Sequence, residues 1–318
     1  MWKYVLKRLL TTFILLFGIT FIVYAILEMT PGDPVMIKLG TKYTPELYEI
    51  TKVEMGLDKP FIIRYFKFIY DVFLHFDFGL SYLGRDIVTE LLSRAPKTFL
   101  IAFCSIAFAA IVGIPLGIFS ALNQGTWKDH ATMVFALLGV SMPDFWVGLL
   151  LSLLFVVKLR LLPASGLDSA VALILPVVTA SFNTLANIAR MTRSSMLEVI
   201  RQDYITTAKA KGQTQTKVIL KHALKNALIP IITVVGTQAS YLCGGVMVVE
   251  TVFAIGGMGT LMMGSISSLD YPMVLSTVLF ISAVSCIIIL LTDVAYAFVD
   301  PRIRSEYQRT NKKRKEAE

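Results

Sequence analysis

The chain has 318 residues, of which 55% are hydrophobic and only 16% charged, and its mean hydropathy is +0.69. That balance excludes a water-soluble globule. A formal charge of +8 would suggest nucleic-acid binding in a soluble protein, but here the charges sit between long apolar runs, so a membrane protein is expected, with no nucleic-acid partner. Cys104, Cys243 and Cys286 each lie inside an apolar run without paired spacing, so they read as small packing residues and not as a disulfide framework.

A helix needs roughly 20 apolar residues to cross about 30 Å of hydrocarbon. The first such run, Leu9 to Leu27, follows a basic start at residues 1–8, and a transmembrane helix is predicted over 9–28. It resembles a signal peptide, but its apolar part is too long and no A-x-A-like site follows, so a retained anchor is expected. Thr30-Pro31-Gly32-Asp33-Pro34 ends that helix, since neither proline can continue it and Gly32 permits positive φ. Residues 30–97 are too long for a turn and too charged to span, which predicts an extracytoplasmic segment folded on the membrane surface. Within it Asp58-Lys59-Pro60 starts a helix whose Tyr65, Ile69 and Phe73 form one stripe, and a second amphipathic stretch runs near Ile87, Val88, Leu91 and Leu92. The segment reads equally as a cap over the spans and as a docking face for a soluble partner.

Residues 98–299 supply five further spans, near 98–122, 131–157, 170–189, 229–250 and 273–299, the second of these broken only by Asp144. Thr251 to Leu269 is also uncharged, but its Gly256, Gly257, Gly259, Gly264, Ser265, Ser267 and Ser268 disfavour a continuous helix, so a loop or re-entrant segment is predicted. With six spans both termini share one side. That side carries 19 Lys and Arg against 11 on the other, which makes it cytoplasmic. The basic tail, 300–318, then lies in the cytoplasm near anionic membrane lipid.

The cytoplasmic segment from Arg190 to Lys225 is the most informative. Glu198 to Lys211 lacks Gly and Pro and predicts a helix, Gly212 suits a left-handed C-terminal cap, and Thr214 or Thr216 can cap a second helix running on to Pro230. A linker would be richer in Gly, Ser and Pro, so this helix–turn–helix reads as rigid enough to transmit force.

The stretch Asp203-Tyr204-Ile205-Thr206-Thr207-Ala208-Lys209-Ala210-Lys211-Gly212, followed by His222-Ala223-Leu224-Lys225-Asn226-Ala227-Leu228-Ile229-Pro230, resembles the cytoplasmic loop of binding-protein-dependent ABC importer permeases of the oligopeptide, dipeptide and nickel type. The resemblance extends over nearly the whole chain, through Trp2-Lys3-Tyr4, Pro31-Gly32-Asp33-Pro34, Phe76-Asp77-Phe78-Gly79-Leu80-Ser81, Val249-Glu250-Thr251-Val252-Phe253 and Asp300-Pro301-Arg302. It implies an all-α integral membrane protein in a bacterial or archaeal plasma membrane. Six transmembrane helices would carry an extracytoplasmic helical segment after the first span and a cytoplasmic coupling helix between spans 4 and 5. It also implies a second homologous permease subunit, two ABC ATPase subunits that bind ATP and Mg, and an extracytoplasmic solute-binding protein, with no cofactor in this chain. Asp203, Thr206, Thr207, Ala208 and Gly212 fall at the ATPase-coupling positions. The chain departs from the general family signature, which opens with glutamate where Thr206 stands and allows fewer than the 17 residues between Gly212 and Pro230. Peptide, nickel and glutathione permeases resemble one another, and the spans do not separate these solutes.

Chemistry for an enzyme is sparse. His75, His130 and His222 are far apart, no H-E-x-x-H or G-x-S-x-G occurs, and no G-x-x-x-x-G-K-[ST] phosphate loop is present, so ATP hydrolysis by this chain is not expected. A gradient-driven transporter is the rival reading, with Glu28, Asp144, Glu250 or Asp293 as proton-binding groups. For the translocation pathway the candidates are Asp144, Asn183, Asn187 and Glu250. Asp144 follows Pro143, which reads either as a kink or as a cavity wall. Asn183 and Asn187 lie one turn apart and suit either a polar path or interhelical hydrogen bonds.

Overall fold

The computed structural model describes residues 2–299, and the expected basic tail lies outside them. In chain order the helices are α1 (Trp2–Met29), α2 (Pro34–Leu39), α3 (Pro45–Glu54), α4 (Phe61–His75), α5 (Ile87–Leu122), α6 (Trp127–Ser141), α7 (Asp144–Ser152), α8 (Ile174–Ile200), α9 (Asp203–Ala210), α10 (Gln215–Lys217), α11 (Leu224–Gly245), α12 (Met247–Val252), α13 (Met258–Ser267) and α14 (Tyr271–Val299). Among the described residues no strand forms, and the isolated bridge Leu80 to Asp86 is the nearest approach to one. Among the described residues four helical stretches are long and apolar enough to cross a membrane, in α1, α5, α10–α11 and α14, and a fifth is supplied if the bent pair α6–α7 counts as one span. Large apolar side chains such as Phe103, Ile111, Leu137, Leu153 and Ile287 stand exposed along these helices, as a lipid-facing surface requires.

Two compact units divide the chain. The first holds Trp2–Thr98 and Ile255–Val284. Here α1 stops at Met29, Gly32 adopts φ +138, and the Asp33 carboxylate accepts from the backbone N–H groups of Val35 and Met36 to cap α2. Pro34 at the start of α2 and Pro45 at the start of α3 occupy positions where a missing N–H costs nothing. The helix predicted after Asp58-Lys59-Pro60, α4, runs antiparallel along α1. Phe73 meets Phe13, Tyr65 meets Phe17, Phe61 meets Phe21, and Arg64 pairs with Glu28. Tyr65 is fully buried, and its hydroxyl donates to the Phe17 carbonyl at 2.7 Å and lies 3.1 Å from the Thr20 hydroxyl. The aromatic stripe that signalled an amphipathic helix is therefore satisfied by another helix. Asp270, fully buried, accepts from the Tyr82 backbone N–H at 3.0 Å and faces Arg85 at 3.4 Å.

The Gly- and Ser-rich stretch from Thr251 to Leu269, expected as a loop or re-entrant segment, forms no continuous helix. It contains a ten-residue helix, α13, whose Met258, Gly259, Leu261 and Ser265 are buried, and the buried Met258 N–H donates to the Thr98 hydroxyl at 2.8 Å. Tertiary burial outweighs the propensity cost of its two glycines, about 1 kcal/mol each.

The second unit holds Phe99–Ala254 and Ser285 onward. Its centre is α8, which packs against α6, α7 and α11. Small residues permit the approach. A Cβ on Gly117 would stand 2.5 Å from the Ala189 carbonyl oxygen, so α5 and α8 meet backbone to side-chain stub. The stretch 131–157, read as one span with a single interruption, is two helices bent by 104° at Met142-Pro143. Pro143 cannot donate to the α6 ladder, and Met142 is extended, so the axis breaks there. The second amphipathic stretch near Ile87 is continuous with the span after it, giving the 36-residue α5.

Candidate functional site

The helix predicted from Glu198 to Lys211 is in fact two. α8 continues past Arg190 to Ile200, Arg201 and Gln202 break the axis, and α9 begins at Asp203. Lys211 N–H returns to the Thr207 carbonyl and Gly212 N–H to Lys209, with Gly212 at φ +71, a left-handed geometry that favours glycine. α10 then starts at Thr214 and passes without interruption through a π-helical turn, Val218–Ala223, into α11, which carries Pro230 internally. Gln213 Oε1 lies 2.7 Å from His222 Nε2 and ties the turn to the next helix.

The elbow is seated by apolar contacts. Ile205 and Ala208 on α9 are buried in a cluster with Ala121, Met196, Val218, Ala223, Ala227 and Ile231. Of the five residues singled out for coupling, Asp203, Thr206, Thr207 and Gly212 are exposed, whereas Ala208 faces inward. The Thr207 hydroxyl donates to the Asp203 carbonyl at 3.0 Å, which leaves Thr206, Tyr204 and the Asp203 carboxylate as the free outer face. Asp203 lies in the first turn of α9, where its charge is favoured by the helix dipole.

A buried ionic junction that sequence reasoning missed stands above the elbow. Asp129, in the first turn of α6 and 1% exposed, accepts from Arg193 Nε and Nη2 at 2.7 Å each. It also accepts from the Ser120 hydroxyl on α5 and, at 3.0 Å, from the Gly125 N–H. One carboxylate thereby joins α5, α6 and α8. Nothing in the spacing announces it, because Asp129 and Arg193 are 64 positions apart.

The pathway candidates fall at different places. Within α8 Asn187 donates to Asn183 Oδ1 at 2.8 Å, and Asn183 donates to the Val140 carbonyl at 3.3 Å near the end of α6. Asp144 opens α7 just past the bend and is half-buried. Glu250 is fully buried on α12. Between α6, α8 and α11 lies an open groove of about 550 Å³, lined by Asn187, Arg190, Arg193, Ser194, Thr237 and Gln238 among others. Of the sequence candidates only Asn187 reaches it.

Residues 113–305 match the family model for the binding-protein-dependent transport system inner membrane component, and residues 1–102 match its N-terminal companion. The dipeptide transport system permease protein DppB of Escherichia coli (strain K12) is 37% identical, over 96% of this chain and 99% of that protein. The glutathione transport system permease protein GsiC of Shigella dysenteriae serotype 1 is 38% identical, with the same shares covered. A solved structure of the MetNI methionine ABC transporter in inward-facing form shares the fold, with a TM-score of 0.56 at 18% identity over 67% of this chain and 97% of that one. The chain is thus a membrane-embedded permease and belongs to the family of binding-protein-dependent transport system inner membrane components.

Proposed function

We propose that this chain forms half of the translocation pathway of an ATP-driven importer for di- or oligopeptides. A second, homologous permease would supply the other half, two ABC ATPase subunits would bind ATP and Mg, and an extracytoplasmic solute-binding protein would deliver the peptide. The span set in this reading is α1, α5, the bent pair α6–α7, α8, α11 with α12, and α14, with both termini in the cytoplasm. The domain arrangement is then the N-terminal span 9–28, the extracytoplasmic segment 30–97 and the permease core 98–299.

The observation that carries the reading is the elbow. α9 is exposed on one face and held on the other by Ile205 and Ala208 against α8, the π-turn and α11, inside a chain whose relatives are a dipeptide and a glutathione permease. A helix so seated passes a push from a soluble partner into two long helices at once, which is what rocking between access states requires. Asp203, Thr206 and Thr207 are the contact residues, Gly212 sets the turn, and Ala208 works from within. Asp144, Asn183, Asn187 and Glu250 remain the pathway residues of this proposal.

The test is purification of the tagged permease from gently solubilised native membranes, with uptake of a labelled dipeptide measured alongside. ATPase subunits should accompany the wild type and be lost from Asp203→Arg/Thr206→Arg, whose changes lie on the exposed face and spare the packed one. Wild type without any ATPase partner, with uptake following an ion gradient instead, would sink the proposal and make the rival reading correct. Glutathione, itself a tripeptide, is the second substrate to assay, because the glutathione permease is as similar as the dipeptide one.

A further inference from the structure

We propose that the groove between α8 and α11 holds the carboxylate of the passing peptide, and that Arg190 is the residue that reads it. The inference rests on the peptide-permease reading above and names a site within it. α8 carries two arginines three positions apart, and their situations differ. Arg193 is neutralised by the bidentate contact with Asp129. Arg190 is exposed, and no hydrogen bond or ion pair engages its guanidinium among the described residues.

Arg190 follows directly on the predicted span 170–189, at its cytoplasmic edge, and still lies within α8. Arg190 lies ten residues before Ile200, where α8 ends, so it sits about 15 Å back along the axis from the elbow. It shares the groove wall with Val234 and Gln238, which are mid-helix positions of α11. A guanidinium without a counter-charge in a groove between helices is open to an anionic ligand that reaches it.

The remaining chemistry of the groove fits one ligand class. No acidic side chain lines it, so Arg190 leaves one positive charge without compensation. Guanidinium binds carboxylate through two parallel hydrogen bonds, which favours a carboxylate over a neutral amide at the same position. Gln238 takes the Thr184 hydroxyl on Oε1 at 3.5 Å, leaving its amide N–H groups to meet a peptide carbonyl. Met133 and Val234 supply apolar wall for side chains without selecting among them. A volume of about 550 Å³ lies in the range of small-ligand sites. A lipid phosphate is an oxyanion too, so the test must separate the two sources.

The complete transporter, with its binding protein, is reconstituted in phosphatidylcholine vesicles, with and without phosphatidylglycerol. Uptake of trialanine and of trialanine amide is measured for wild type, Arg190→Gln and Arg190→Lys. Because every variant uses the same binding protein, a change in the acid-to-amide ratio belongs to the permease. The ratio should fall about tenfold in Arg190→Gln, the scale of one charge-assisted hydrogen-bonded pair, and be partly kept in Arg190→Lys. An unchanged ratio in Arg190→Gln, with peptide still carried by the wild type, overturns this inference and leaves the permease reading intact. An Arg190 effect that appears only with phosphatidylglycerol, equal for acid and amide, assigns the residue to lipid and also overturns it. Wild type that carries no peptide at all refutes the underlying reading instead.

Discussion

Replacing Asp129 by Asn removes one charge and converts one acceptor oxygen into a donor, at a site where every neighbour is already a donor. Arg193 contributes two N–H groups, Ser120 a hydroxyl and Gly125 a backbone N–H. The asparagine oxygen can keep one or two of these, while its NH₂ group is forced against the rest. Breaking a buried ion pair from one side costs about 3–5 kcal/mol when both partners are sealed from water. Asp129 is sealed, but the Arg193 side chain is 26% exposed and opens to the groove, so part of its hydration is recovered and about 2–3 kcal/mol is the expected loss. The assay is thermal unfolding of the detergent-purified protein for Asp129→Asn, Arg193→Gln and the double variant. Each single change should lower the midpoint by roughly 5 °C or more, taking about 2–4 °C per kcal/mol for a chain of this size. The double variant should fall well short of the sum, because the second change removes a charge already stranded by the first. Additive losses, or a midpoint for Asp129→Asn within about a degree of wild type, would refute the claim that this carboxylate braces three helices.

Two glycine substitutions with the same gain in helix propensity should have opposite outcomes. Gly117→Ala forces a methyl to within 2.5 Å of the Ala189 carbonyl and of Thr192 and should destabilise by about 1–3 kcal/mol, whereas Gly18→Ala meets nothing within 4 Å and should be neutral or slightly stabilising in the same thermal assay. At the elbow, Gly212→Asn should retain ATPase-subunit co-purification and Gly212→Val should lose it, since φ +71 is open to asparagine and closed to a β-branched residue. Tyr65→Phe deletes the hydroxyl's bonds to the Phe17 carbonyl and the Thr20 hydroxyl and should cost about 1–2 kcal/mol, while Tyr65→Ala also empties the aromatic contact between α1 and α4 and should cost about 3–5 kcal/mol by the same measurement.

The apolar runs, their lengths and the breaks at Pro31 to Pro34 and at Gly212 were legible because each rests on a local rule, hydrophobic span length or a residue that permits or forbids a backbone angle. What local rules could not show is pairing. The Tyr65, Ile69 and Phe73 stripe announced an apolar face without naming what covers it, and α1 covers it. Glycine content argued against a continuous helix over Thr251 to Leu269, and none forms, but only burial of Met258 and Leu261 reveals the short α13 within it. At the site, the exposed face of α9 followed from resemblance, but the inward turn of Ala208 follows only from the packing of Ile205 one turn earlier. Asp129 lies in the first turn of α6 beside Lys128, and only the fold brings Arg193 to it.

In the proposed function the elbow and the ionic junction would act in series, and that order can be tested. A push on the outer face of α9 would reach α8 and α11 through Ile205, which is 1% exposed and the largest side chain that α9 buries. From α8 it would pass to α5 and α6 through Arg193 and Asp129. Ile205→Ala leaves Asp203, Thr206 and Thr207 unaltered on the surface and removes packing worth about 2–5 kcal/mol beneath them. The ATPase subunits should therefore still bind, while peptide carried per ATP hydrolysed drops several-fold, because α9 can shift within the cavity without moving α8. Thr206→Arg should do the reverse, weakening ATPase co-purification while the thermal midpoint stays within about a degree of wild type. If Ile205→Ala loses ATPase binding and transport in equal measure, the contact and the transmission are one and the same surface, and the series arrangement argued from the buried side of α9 is wrong.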